Sequence, residues 1–271
     1  MRLRFRHAAA GTTAGTLLLM LLGVLTAATG TGLSCRAQWP FCDGGLFPAT
    51  AASVPEWSHR AVAMVVGFAI LGLAAWAWRS GMEKRIRYAS AAAVLILPTQ
   101  VILGAVTVTL GGRISGGYSV PVLVAHFATA LSIFALLSAA TAWASAGSSG
   151  RVRAALLWGA VLAPAYAAVS RDFLVPYWTP QMQAGSYLFG LSLFAALVCA
   201  GLWSASKPLR RALAALCVVL GFHLLLGRAL YAVLPGADVL YHLGTGVVVA
   251  GVVALAALVY RGKVAPRGTT A

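Results

Sequence analysis

Eight long apolar runs separated by short gaps leave this chain few ways to fold. They lie near residues 8–30, 58–78, 88–110, 120–143, 154–170, 182–205, 212–234 and 239–260. Each approaches the ~20 residues an α-helix needs to cross a bilayer. The runs are continuously apolar and rich in Ala, Leu and Val instead of alternating, which argues against a β-barrel. Helices also satisfy their backbone hydrogen bonds internally, as hydrocarbon requires. The expected fold is an all-α polytopic membrane protein with eight transmembrane helices. A soluble fold does not fit a chain of 271 residues that is 61% hydrophobic and 9% charged, with a mean hydropathy of +0.88.

A formal charge of +15 would point to nucleic acid in a soluble chain. Here the basic residues sit in the gaps between apolar runs, so the partner they imply is the lipid bilayer and not a nucleic acid. With a cytoplasmic N-terminus, the inner segments hold Arg2, Arg4, Arg6, Arg79, Lys84, Arg85, Arg87, Arg151, Arg153, Lys207, Arg210, Arg211, Arg261, Lys263 and Arg267, which is 15 of the 20 Lys and Arg. Arg36, Arg60, Arg113, Arg171 and Arg228 fall outside. This asymmetry predicts a multi-pass cell-membrane protein with both termini cytoplasmic. The first run is too long for a signal peptide and lacks a small-residue cleavage site before Cys35, so it reads as a retained helix. His7 belongs to its solvated basic tail.

That orientation puts Cys35 and Cys42 in the longest outer loop, about residues 31–57. The outer face is oxidising, and a disulfide is expected there. The Cys-x6-Cys spacing is not a zinc pattern, and the loop contains no histidine. Cys199 and Cys217 lie within apolar runs and read as small buried hydrophobes.

The chain also repeats itself. Gln100-Val-Ile-Leu103-Gly104 resembles His223-Leu-Leu-Leu226-Gly227; Val-Pro55 resembles Thr-Pro180; and His126 corresponds to His242. An even number of helices separates the copies, which implies two tandem four-helix bundles related by a pseudo-twofold along the membrane normal. The expected division is residues 1–143, a cytoplasmic linker at 144–153 built on Ala144-Ser-Ala-Gly-Ser-Ser-Gly150, and residues 154–271.

Ionisable groups within a bilayer cost several kcal/mol unless paired or used, so the few present are functional candidates. Glu56-Trp-Ser-His59-Arg60 places a carboxylate, an imidazole and a guanidinium on adjoining parts of one helix face at the outer interface. A simple Glu56–Arg60 surface pair is the alternative. His126 enters the fourth run from the same side, at a depth similar to His59. Two facing histidines in a bundle suit a planar haem, with Arg60 or Arg113 available to its propionates. Copper or zinc is the rival ligand, although no third or fourth donor is evident. The second half is less complete. His242 matches His126, but no histidine or glutamate occupies the stretch Pro180-Gln181-Met182-Gln183-Ala184 that corresponds to the region of His59. Met182 offers a thioether, and His223 lies roughly 18 Å inward from the outer loop at 1.5 Å per residue.

Thr29-Gly-Thr-Gly-Leu-Ser-Cys35-Arg-Ala-Gln-Trp39-Pro40-Phe-Cys42-Asp-Gly-Gly, followed by Glu56-Trp-Ser-His59-Arg60, Gln100-x-x-Leu103-Gly104-x-x-Thr107-Val108 and His126, resembles the heme A synthase family. The match is dense in the first four helices and weak afterwards. The resemblance implies an enzyme that oxidises the C8 methyl of heme O to the formyl of heme A for terminal oxidases. It implies His59 and His126 as axial ligands of heme O, Glu56 as the essential carboxylate and Cys35–Cys42 as the outer disulfide. It further implies His242 as one ligand of a heme b cofactor in the second half; because the histidine expected on the sixth helix is missing, either that site is five-coordinate, or Met182 or His223 substitutes, or the second half is a scaffold that binds no haem. Implied partners are heme O, a heme O synthase and an unidentified electron donor. The alternative function is a di-haem cytochrome b-type electron carrier; a parallel-repeat transporter is a third.

Overall fold

The computed structural model describes residues 2–35, 38, 41–111, 119–171 and 177–262. Among these residues eight α-helices follow one another: α1 (Arg2–Ala28), α2 (Val54–Arg79), α3 (Lys84–Gly111), α4 (Val120–Ala144), α5 (Ser149–Ala168), α6 (Pro180–Trp203), α7 (Lys207–Leu225) and α8 (Ala237–Tyr260). A π-helical segment, Leu226–Leu230, continues α7. Among the described residues the only extended pairing is an isolated bridge between Cys42 and Gly45. Seven of the helices are long and apolar enough to cross a membrane; the exception is α5, with Arg151 and Arg153 in its first turns and Pro164 within it. The chain is an all-helical, multi-pass membrane protein.

The helices begin where backbone chemistry allows. Proline stands in the first turn of α2, α4, α6 and α7, where its missing N–H has no intrahelical partner to lose. Thr179 caps α6 by accepting from the Met182 N–H. The expected linker is shorter than the composition indicates. Ser148 accepts the Arg151 N–H, and α5 starts at Ser149 instead of 154. The serine of a flexible-looking stretch is thus a helix cap, which the Ser- and Gly-rich composition concealed.

The packing follows the same cycle twice. In the first four helices α1 meets α2, α2 meets α3, α3 meets α4, and α4 returns to α1; α5 through α8 pair in the same order. Across the halves, α6 packs on α1 and α4, and the π segment packs on α4. Phe127 on α4 stacks edge-on to Tyr187 on α6 with centroids 5.6 Å apart, and the Trp203 indole N–H donates to the Ala142 carbonyl at 2.9 Å. Val65, Phe68, Leu95, Val101 and Val218 point outward, as lipid-facing side chains do. At the helix ends expected inside, Arg85, Arg87 and Arg151 lie over the rings of Trp143, Trp78 and Trp203. Each guanidinium sits at the polar boundary while its stem covers apolar surface.

Threonine makes the apolar helices tolerant of polar groups. Thr12, Thr13 and Thr16 in α1 each donate to the carbonyl four residues earlier, and Thr13 also meets Thr141 of α4 at 3.1 Å. No hydroxyl among these is left bare in hydrocarbon.

Candidate functional site

The loop between α1 and α2, together with α1, α2 and α4, converges on the three residues that the sequence singles out. Cys35 and Cys42 are joined by the expected disulfide, with Cα atoms 4.6 Å apart. The sharp turn just after Cys42, which pairs it with Gly45, uses Asp43 at φ +55° and Gly44 at φ +83°. The Asp43 carboxylate accepts the N–H groups of Ala49 and Thr50 and the hydroxyl of Ser53, which ties the turn to the start of α2. Slight desolvation pushes its pKa up, but those hydrogen bonds prevail and hold the carboxyl below the usual value.

This clamped loop ends on Glu56. The Cys35 backbone N–H donates to Glu56 Oε2 at 2.7 Å, and Arg60 Nη2 pairs with Oε1. Arg60 also donates to the Gln38 carbonyl. The Glu56–Arg60 pair offered by the i,i+4 spacing therefore forms, but not on the surface, because Glu56 is 3% exposed. A buried carboxylate held at both oxygens is fixed in position. The same ion pair engages the Arg60 guanidinium that the sequence offers to a propionate; Arg113, the other offered cation, lies outside the described residues.

One turn further, the His59 ring lies against the α1 backbone at Gly23. A Cβ built on Gly23 would stand 3.0 Å from His59 Cε1, so a glycine is what lets the imidazole approach. Nearby, the Thr26 hydroxyl reaches the Pro55 carbonyl at 3.3 Å and joins α1 to the start of α2. His126 is held from α3: the Gln100 amide N–H donates to the His126 carbonyl at 3.0 Å and contacts the Thr129 hydroxyl. Gly104 faces the His126 ring, its would-be Cβ 3.8 Å from Cε1. The two imidazoles are near enough to interact electrostatically. Each has a buried Nδ1 with no hydrogen-bond partner. Buried polar atoms are rarely left in that state; Arg87 Nε and Ser138 Oγ share it among the described residues, but only the two imidazoles pair a bare nitrogen with a like neighbour. Among the described residues no three His, Cys, Asp or Glu side chains gather to hold a bare metal ion. The donor set is two neutral imidazoles, which suits an iron carried in its own macrocycle.

The second-half candidates are arranged differently. His223 is 1% exposed and fully engaged, with Tyr166 Oη 2.6 Å from Nδ1, and the Tyr241 carbonyl 2.8 Å and the Thr245 hydroxyl 3.0 Å from Nε2. His242 is exposed, and its Nδ1 lies 2.6 Å from the Asp238 carbonyl of its own helix. Met182 is in the first turn of α6, half-buried. His223 and His242 are near enough to interact electrostatically, but the ring nitrogens of His223 are already engaged by protein partners. Cys199 and Cys217 are half-buried free thiols.

Gly23, Tyr166, Tyr187 and Tyr241 are contributors that the sequence reading missed, because nothing distinguishes them from other small or aromatic residues in apolar helices. Asp43 did carry a signal, since Asp-Gly is a turn dipeptide.

Residues 51–171 match the family model described as cytochrome oxidase assembly protein. The chain is 36% identical over 126 residues to a heme A synthase of Bacillus licheniformis, covering 46% of this chain and 40% of that protein. It is 38% identical over 132 residues to a heme A synthase of Alkalihalophilus pseudofirmus, covering 46% and 42%. It is also 34% identical over 137 residues to a protoheme IX farnesyltransferase of Halobacterium salinarum, covering 50% of this chain and 29% of that protein. The chain thus spans less than half the length of the curated relatives it matches. Residues 51–171, which hold Glu56, His59 and His126, carry the sequence of the cytochrome oxidase assembly protein family, and the resemblance of this chain to heme A synthases is real.

Proposed function

We propose that this protein is a membrane enzyme that oxidises the C8 methyl of heme O to the formyl of heme A, with the first four helices as its catalytic half. The observation that carries the reading is the pair of buried, unpartnered imidazole nitrogens of His59 and His126 beside a buried carboxylate. The names of the relatives support it, since heme A synthase and protoheme IX farnesyltransferase both concern haem. The repeated helix cycle supports two tandem bundles, residues 1–143 and 154–271, joined through 144–153. The distribution of basic residues supports cytoplasmic termini with the disulfide loop outside.

In this reading His59 and His126 hold the substrate iron from its two faces, while apolar helices cover the ring and its insoluble isoprenoid tail. Iron supplies the redox chemistry. With one water, methyl going to formyl releases four protons and four electrons, so a redox partner in the membrane must complete the balance. Glu56 is the proton acceptor or electrostatic stabiliser nearest the ligands on α2. Its two fixed oxygens favour a set orientation over free rotation. Arg60 keeps the carboxylate aligned, and the Cys35 N–H does so from the loop.

The test is co-expression with a heme O synthase in a host without heme A, followed by haem extraction and mass analysis. Heme A or hydroxylated heme O should appear with the wild type and not with His59→Ala. Recovery of unchanged heme O alone, from a well-expressed coloured protein in a host supplied with redox partners, would favour the electron-carrier alternative. Farnesyl addition to protoheme by this chain alone would instead align it with the transferase relatives.

A further inference from the structure

We infer that the C-terminal half is closed to haem, so that each chain carries a single haem site, the one framed by His59 and His126. The inference takes the identity of that first site from the functional reading above.

The repeat identifies the place to inspect. In the first half, Gln100 of α3 contacts Thr129 of α4, one turn beyond His126. In the second, His223 of α7 contacts Thr245 of α8, one turn beyond His242. The two links occupy matching positions, so the counterpart of the space beside Gly104 and His126 is the space beside Gly227 and Tyr241–His242.

That space is filled. A Cβ on Gly104 would meet nothing closer than 3.8 Å, whereas one on Gly227 would stand 2.7 Å from the Tyr241 ring and 3.5 Å from the Tyr187 hydroxyl. On Gly244 it would be 2.5 Å from the His223 ring, and on Gly190 it would be 2.9 Å from the Tyr166 ring. Tyr166, Tyr187, Tyr241 and His223 are all nearly fully buried, and the Tyr241 ring stacks on His223 at 4.2 Å. They occupy volume that a macrocycle would need.

The electron pairs of His223 are committed as well. Tyr187 Oη donates to the Leu224 carbonyl at 2.8 Å. For His223, one arrangement satisfies every group: Nε2–H donates to the Tyr241 carbonyl, and Nδ1 accepts the Tyr166 hydroxyl proton. An imidazole used in this way has no lone pair left for iron. His242 is exposed; its Nδ1 lies against the Asp238 carbonyl, which leaves Nε2 its lone pair, but the α6 position matching His59 is Ala184 and offers no opposing donor. Neither a ligand pair nor a slot for the ring is present, so the expected heme b does not fit these residues.

The experiment is a haem count on the full-length protein purified in detergent from cells making heme O, with haem measured as its pyridine complex and protein by amino-acid analysis. The expected value is about one haem per chain, falling toward zero in His59→Ala and in His126→Ala and unchanged in His242→Ala. A value near two overturns the inference even if the alanine variants do not fold. So does haem that survives His59→Ala but is lost in His242→Ala. One haem per chain without any heme A formed would overturn the functional reading and leave this inference standing; a colourless wild type would overturn both.

Discussion

Two buried histidine environments, one in each half of a repeated helix cycle, have opposite chemistry. In the first four helices, His59 and His126 each present a buried Nδ1 with no hydrogen-bond partner, although the His59 ring also bonds the Leu19 backbone, and glycines on α1 and α3 make room for the rings. In the other half, His223 uses both nitrogens on protein partners, and its glycines are covered by tyrosine and leucine side chains. The family match runs from residue 51 to residue 171, through α2 to α5, and so includes the first helix of the second half. Unsatisfied polarity inside a membrane protein therefore points to the working half, and saturated polarity to the supporting one. A duplicated bundle can keep its helix cycle while replacing a ligand-binding interior with a self-sufficient one.

Removing either proposed ligand of the open half has the largest expected effect: His59→Ala or His126→Ala should take heme A formation below detection by mass analysis. His223→Leu in the closed half should leave product formation intact and would break the comparison if it did not. Next comes Glu56→Gln, expected to slow formation by about 10²- to 10⁴-fold while haem stays bound, as for loss of a positioned proton-transfer group. Full activity in that variant with normal haem occupancy would remove Glu56 from the chemistry. His223→Leu should lower stability by about 3 kcal/mol, because Tyr166 and the Tyr241 carbonyl lose buried partners, and thermal unfolding in detergent checks it. Gly227→Ala should cost about 1–3 kcal/mol by overpacking against Tyr241, whereas Gly104→Ala should change stability by less than about 0.5 kcal/mol. Equal losses at the two glycines would contradict the difference in filling.

The smallest effect concerns pH and the loop. The Asp43 carboxyl has a folded pKa below its ordinary 3.8, so its contribution is present above that value and is lost as pH falls through the lower folded one. Proteolysis of residues 43–53 should therefore be insensitive to pH across the neutral range and should accelerate only in strong acid. Acceleration already near neutrality would assign the loop's hold to another group.

Much of the fold is legible because apolar length is nearly all that a bilayer asks of a helix. The eight runs match eight helices, and the departures are at their ends, where α2 starts at Val54 and α5 at Ser149 through proline placement and a serine cap. Glu56, His59 and His126 stand out because so few ionisable residues lie within the spans. His223 stands out equally and turns out to be saturated, since a histidine looks the same in a sequence whether it ligates iron or bonds two neighbours. The tyrosines that decide the matter carry no mark, because their meaning lies in which glycine each one covers.

The contact of Phe127 with Tyr187 bears on how accurately the working half is aimed. Phe127 follows His126 in the chain, and its ring is seated edge-on against a tyrosine that is itself anchored to the Leu224 carbonyl. Rotation of α4 about its axis would have to unseat that ring, so the azimuth of the His126 imidazole is registered against the closed bundle. The second half thereby serves as an optical bench: it handles no light of its own, yet it keeps one mirror at the angle on which the other depends.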